Sequence, residues 1–132
     1  MQPLAPPLFS AFDVLGVNGR RVARLANVSG ATVSKWRNGH RPTPPAIQVF
    51  LTLLLTNWAI ELESGRRARF PAIIIDGDRW ADLRRALSAQ ESVNAELDQA
   101  AAREGSRLFR SWLAGRRVGV GPSLDAEGLE VV

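Results

Sequence analysis

The 132 residues contain no cysteine and no tyrosine, a single histidine (His40) and a single lysine (Lys35). Without cysteine there is no disulfide framework, no thiol nucleophile and no thiolate metal ligand. One histidine with no cysteine near it cannot anchor a metal site by itself. With tyrosine absent as well, few side chains remain for acid–base or nucleophilic chemistry. A phosphate-binding glycine loop is missing too: GVGPS at Gly119 to Ser123 lacks the lysine and the following helix that such a loop needs. Asp76, Asp78 and Asp82 could gather around a cation, but capping of a helix start accounts for them more simply. The chain is therefore expected to be no enzyme and to carry no cofactor or metal. Long greasy runs are also lacking. The longest, AIQVFLTLLLTNWAI (Ala46 to Ile60), is 15 residues and contains Gln48, Thr52, Thr56 and Asn57. A membrane span needs about 20 apolar residues, so a buried helix is expected there instead. The start, MQPLAPPLFSAF, has no basic stretch followed by a long apolar run and does not read as a secretory signal.

Acidic residues are scarce in one half. Through residue 60 the bases are Arg20, Arg21, Arg24, Lys35, Arg37 and Arg41, against Asp13 as the only acid. From Asp76 to Glu104 acids outnumber bases. Arg107, Arg110, Arg116 and Arg117 form a second basic group, and the tail is acidic again with Asp125, Glu127 and Glu130. The net charge is +4 and the pI about 11.2. A basic front half suits a polyanionic partner, chiefly nucleic acid or an anionic membrane surface, or is a solvated face. The same two readings stand for Arg20, Arg21 and Arg24, and for the later arginines, where a solvated helix end is the simpler one.

Apolar residues make up 45% of the chain, enough for a real core. Pro3, Pro6 and Pro7 make an extended arm, and LFSAFDVL (Leu8 to Leu15) an amphipathic helix ending at Gly16. Asn18 caps a second helix whose Val22, Leu25 and Ala26 share a face, and Asn27 suits a left-handed helix end. Ser29 caps a third, bearing Val33 and Trp36 and closed by Asn38-Gly39. Pro44-Pro45 opens a fourth helix reaching about Glu63. That helix is apolar on nearly every side and needs cover all round, from the first three helices and from either the C-terminal half or a second subunit. GRRAR (Gly65 to Arg69) breaks the composition and divides a domain over 1–64 from a region over 65–132. Phe70 to Ile75 reads as a short extended segment. Trp80, Leu83, Leu87, Leu97 and Leu108 form one helical stripe interrupted by Gln90, Asn94 and Glu104. A bent helix, or two helices broken near Gly105, is expected, followed by an apolar cluster at Leu108, Phe109, Trp112 and Leu113 and a mobile acidic tail.

The stretch NGRRVARLANVSGATVSKWRNGHRP, Asn18 to Pro42, carries the clearest signal. Two short helices flank a tight Asn27-Val28-Ser29 turn, Ala23 is small where the second helix crosses, and Val33 and Trp36 bury one edge of that second helix. The other edge is small, polar and basic. The ordered set resembles the Cro/XRE-type, phage-repressor-like helix-turn-helix family over about a fifth of the chain. The resemblance implies a mostly α fold: a five-helix DNA-binding domain reaching to about residue 63, followed by a smaller helical C-terminal region with the short extended segment. It implies that Asn18 holds a phosphate, that Ser29, Thr32 and Asn38 touch phosphate or sugar, and that Gly30, Ala31, Ser34 and Lys35 face base edges in the major groove. Arg37, His40 and Arg41 would flank the DNA backbone, with Arg20 and Arg21 as further phosphate contacts. The family usually has glutamine at the position of Gly19 and long polar side chains at those of Gly30 and Ala31. Direct readout therefore leans on Lys35, with Thr32 and Ser34 in support, and shape or a partner makes up the rest.

The expectation is a bacterial or phage-type transcriptional regulator, cytoplasmic and nucleoid-associated. It would bind double-stranded DNA as a homodimer through its C-terminal helices, with a second protein partner possible there and no membrane association. The alternative is an adaptor or antitoxin-like protein, in which the apolar fourth helix and the Trp80 to Trp112 region bind another protein and DNA binding is secondary.

Overall fold

The computed structural model describes residues 5–63 and 77–118. Among them it holds six α-helices and no strand: α1 (Leu8–Val14), α2 (Gly19–Ala26), α3 (Gly30–Arg37), α4 (Pro45–Glu63), α5 (Gly77–Ala95) and α6 (Gln99–Val118). Four helices, where the resemblance implies five, lie before residue 64, because no glycine or proline interrupts the chain after Pro45 and α4 continues unbroken. Residues 1–4 of the arm, the GRRAR boundary, the extended segment at 70–75, Asp76, the GVGPS stretch and the acidic tail all lie outside the described residues; Pro7, at the other end of the arm, stands at the N-cap of α1.

The local signals in the first half act as their chemistry requires. Asn18 has extended backbone and its side chain accepts from the Arg21 N–H at 3.0 Å, which satisfies a donor the start of α2 leaves open. Asn27 closes α2 in the left-handed conformation (φ 57°, ψ 47°), and the Val28 N–H returns to the Ala23 carbonyl at 2.9 Å. Ser29 begins α3 by accepting from the Thr32 N–H at 3.1 Å. Gly39, at φ 75°, turns the chain out of α3 while the His40 N–H bonds back to the Lys35 carbonyl. Pro44 and Pro45 stand at the start of α4, where missing donors cost nothing.

One hydrophobic core spans both halves. Leu8, Phe12, Leu15 and Val17 join Val22, Val33, Trp36, Leu51, Leu54, Leu55 and Trp58, and Leu83, Leu87 and Trp112 belong to the same cluster. Each fully buried leucine or phenylalanine contributes about 1.5–3 kcal/mol relative to exposure. Most of the apolar surface of α4 is covered within the chain: α6 makes the most extensive packing contact on it, and α5 and α1 also pack against it, while Ile60 stays 60% exposed.

The expected break at Gly105 is not where the helix ends. α5 stops at Ala95, and Glu96, Leu97 and Asp98 form the turn, with the Asp98 carboxylate accepting from the Ala101 N–H at 3.0 Å as α6 begins. Gly105 sits buried in mid-helix. A Cβ there would meet the Val49 Cβ at 2.5 Å and the Ala46 carbonyl oxygen at 2.8 Å. The glycine lets α6 approach the α4 backbone, which sequence spacing alone could not distinguish from a helix breaker. Glu104 bonds Arg107 on the same helix, which holds its carboxyl below the usual carboxylate range.

Gln90, a polar residue in an apolar stripe, lies fully buried at the junction of three helices. Its Oε1 accepts from the Leu8 N–H at 3.0 Å, at the start of α1. Its Nε2 donates to Gln48 Oε1 at 2.8 Å and to Asn94 Oδ1 at 3.0 Å. Asn94 Nδ2 donates to Thr52 Oγ1 at 3.1 Å, and Gln48 Nε2 to the Thr43 carbonyl at 3.0 Å. The polar positions on α4 and α5 are thus partners of each other, a closed network inside the core.

Candidate nucleic-acid interface

α3 owes its orientation to two anchors. Val33 and Trp36, three residues apart, are 1% and 2% exposed and belong to the core. α2 packs beside α3, and Ala23 and Ala26 are small and buried on it. The remaining positions of α3 follow from the 3.6-residue period. Gly30, Ala31, Ser34 and Lys35 are all exposed, and Thr32 is half-buried. Nothing lies within 4 Å of where a Gly30 Cβ would stand, so that face of the helix start is open. Ser29 and Asn38, at the two ends, are exposed as well.

The residues around this edge are basic. Arg20, on the first turn of α2, is exposed and Arg21 half-buried; His40 and Arg41, in the loop after α3, are exposed. Lys35 makes no ion pair with any described residue. Gly30, Ala31 and Ser34 of α3, with the exposed ends of the helix, therefore present a narrow ridge of backbone, methyl and hydroxyl groups beside Lys35, with no carboxylate on α2 or α3. A ridge of this kind suits a polyanion that carries hydrogen-bonding edges.

Five of the expected site residues also make contacts within the chain. The Asn18 Oδ1 is engaged in capping α2, which leaves its amide nitrogen as the group able to meet a phosphate. Ser29 and Thr32 share a hydrogen bond at 3.0 Å between their hydroxyls while Ser29 caps the helix, so these two face outward as a unit. Arg37 is turned back: it pairs with Asp13 of α1, its guanidinium carbon stands 5.7 Å from the Phe9 ring centroid, and its side chain is only 31% exposed. It does not flank the open edge as the resemblance implied, because an acid and an aromatic face on α1 hold it more closely than water does. Asn38 lies near Ser34, its Nδ2 at 3.5 Å from the Ser34 hydroxyl.

Asp13 and Phe9 escaped sequence reasoning. Asp13 is the only acid before residue 61 in an otherwise basic half, and that isolation was the one available sign that a specific cation uses it. Elsewhere, the described residues contain no group of three or more histidines, aspartates or glutamates able to hold a metal ion. No described helix is long and apolar enough to cross a membrane. The α1–α5 groove, about 500 Å³ and lined by Pro7, Ser10, Val14, Asp82, Arg85 and Ala89, is shallow, and its Asp82 is paired with Arg85 at 2.9 Å. Compared with protein-family models, curated proteins and solved structures, the chain matches none.

Proposed function

We propose that this chain is a sequence-preferring DNA-binding regulator of the Cro/XRE-like helix-turn-helix type, with α3 as the recognition helix and α2 as its brace. The observation that carries the reading is the division of α3: Val33 and Trp36 are sealed into the core while Gly30, Ala31, Ser34 and Lys35 stand open on the opposite edge. A short helix held by one edge with its other edge clear can enter a major groove about 12 Å wide. Ala31 meets a thymine methyl, Ser34 and Thr32 reach polar edges or phosphate, and Lys35 donates to guanine. Arg20 and Arg41 neutralise phosphates on either side. A second copy brings a second recognition helix to a half-site one turn of DNA away.

The adaptor or antitoxin-like reading draws on the apolar fourth helix and on the Trp80 to Trp112 region. Val49, Phe50, Leu51, Leu54, Leu55 and Trp58 are buried within this chain, so those side chains offer no surface to a second protein; Ile60, 60% exposed, and the half-buried Trp80 and Phe109 are what that reading has left to stand on.

The test is selection of tight-binding duplexes from a random DNA pool by the full chain, followed by anisotropy titration of the best duplex against a scrambled one. The expected result is an enriched motif. Lys35→Ala is expected to narrow the preference for it by about 1–3 kcal/mol, the worth of one good base contact, without loss of thermal stability. Failure to enrich any motif, together with equal binding of scrambled DNA before and after Lys35→Ala, removes the sequence-reading role.

A further inference from the structure

We infer that Asp13, with Phe9 beside it, is a positioning residue for the recognition edge: it grips Arg37 and so sets the angle and rigidity of the last turn of α3, where Lys35 stands. The inference rests on the DNA-binding reading above. α1 packs chiefly on α4 and α5, and α3 on α2. Arg37 reaches from the end of α3 to α1, where its guanidinium meets the Asp13 carboxylate and lies over the Phe9 ring. Phe9 is 3% exposed and locked in the core, so one side of the grip is immobile. The Asp13 side chain is 60% exposed and rides on the rim. Lys35 is two residues before Arg37, and its carbonyl receives the His40 and Arg41 N–H groups at 2.9 and 3.3 Å. A tether at Arg37 therefore limits how the helix end, Lys35 and the His40-Arg41 loop move together. Asp13 also stands alone as an acid in a basic half, where a general solvating role would not call for it.

The charge-based alternative makes an opposite prediction. If Asp13 merely holds Arg37 back from a phosphate, releasing it adds a phosphate contact. If Asp13 positions α3, releasing it loosens the reading edge. Asp13→Asn removes the carboxylate charge at an exposed site and leaves the core untouched, and Asp13→Glu restores the charge. Two measurements on the full-length protein separate the cases. Hydrogen exchange of the Asn38, Gly39 and His40 amides reports the last turn without any DNA. Anisotropy titrations with the selected and the scrambled duplex, over a range of salt, report preference.

The expected outcome for Asp13→Asn is two- to fivefold faster exchange at those amides, the scale of a partly exposed ion pair. A similar loss in the ratio of selected to scrambled binding accompanies it, with an unchanged salt slope and recovery in Asp13→Glu. Unchanged exchange overturns the grip. Faster exchange with an unchanged binding ratio overturns the positioning role. Tighter binding of both duplexes with a salt slope steeper by about one shows instead that Arg37 is a restrained phosphate ligand. A wild-type chain that distinguishes no duplex sinks the functional reading and the positioning role with it, while the exchange arm still shows whether the grip exists.

Discussion

Gln90 shows how one side chain can be misjudged by type and explained by address. Along α5 it replaces an apolar residue on the core-facing stripe, which in isolation argues for a helix break. In place, its amide oxygen serves the start of α1 and its two N–H groups serve Gln48 and Asn94. Burying an amide is costly unless each group is bonded, and here each is. Gln90→Leu is expected to destabilise the protein by on the order of 3 kcal/mol, because the Leu8 N–H and the Gln48 oxygen are left buried without these partners. A urea melt of the two proteins measures it. A leucine variant as stable as the wild type would mean that the network adds nothing to the core.

Helix by helix, the first half was legible in detail and the second only in outline: a long helix starting near Asp78 and the apolar cluster at Leu108, Phe109, Trp112 and Leu113 could be read, the break between α5 and α6 could not. Capping residues announce themselves: Asn18, Asn27, Ser29 and the Pro44-Pro45 pair each act through backbone groups within a few residues, so their consequences are local. Gly105 acts across space. Its role depends on α6 lying against Ala46 and Val49, a contact between residues more than fifty positions apart, and glycine as a breaker and glycine as a contact are the same letter. Gly105→Ala is expected to lower stability by about 1–3 kcal/mol, the usual cost of overpacking a tight contact. Trimming Val49 to alanine would not rescue it, since the Val49 Cβ itself is the nearest atom. Thermal melts of the single and double variants check both statements; an unchanged Tm in Gly105→Ala would place α6 farther from α4.

At the scale of the whole molecule, the charge distribution separates two basic surfaces. Arg20, at the start of α2, and Arg41, in the loop after α3, are exposed, whereas Arg107 of α6 is paired with Glu104 and Arg110 lies on that same helix. If the proposed interface is the only one that meets DNA, affinity falls linearly with the logarithm of salt concentration. Arg20→Ala and Arg41→Ala then each reduce the slope by about one, while Arg110→Ala leaves it unchanged. Titrations of the four proteins at several salt concentrations decide this. A reduced slope in Arg110→Ala would add α6 to the nucleic-acid surface.

What the sequence determined by itself was whatever local chemistry can specify: a mostly helical chain, the starts and ends of α2 and α3, the start of α4, the burial of Val33 and Trp36, and the small, basic character of the opposite edge. Periodicity and capping operate within one or two turns, so no partner element is needed to read them. The tertiary structure alone decided that α6 covers α4, that Gly105 is a contact, that Gln90 belongs in the core, and that Arg37 faces Asp13. Each of these depends on which distant residues are brought together, and a linear pattern carries no distances between segments.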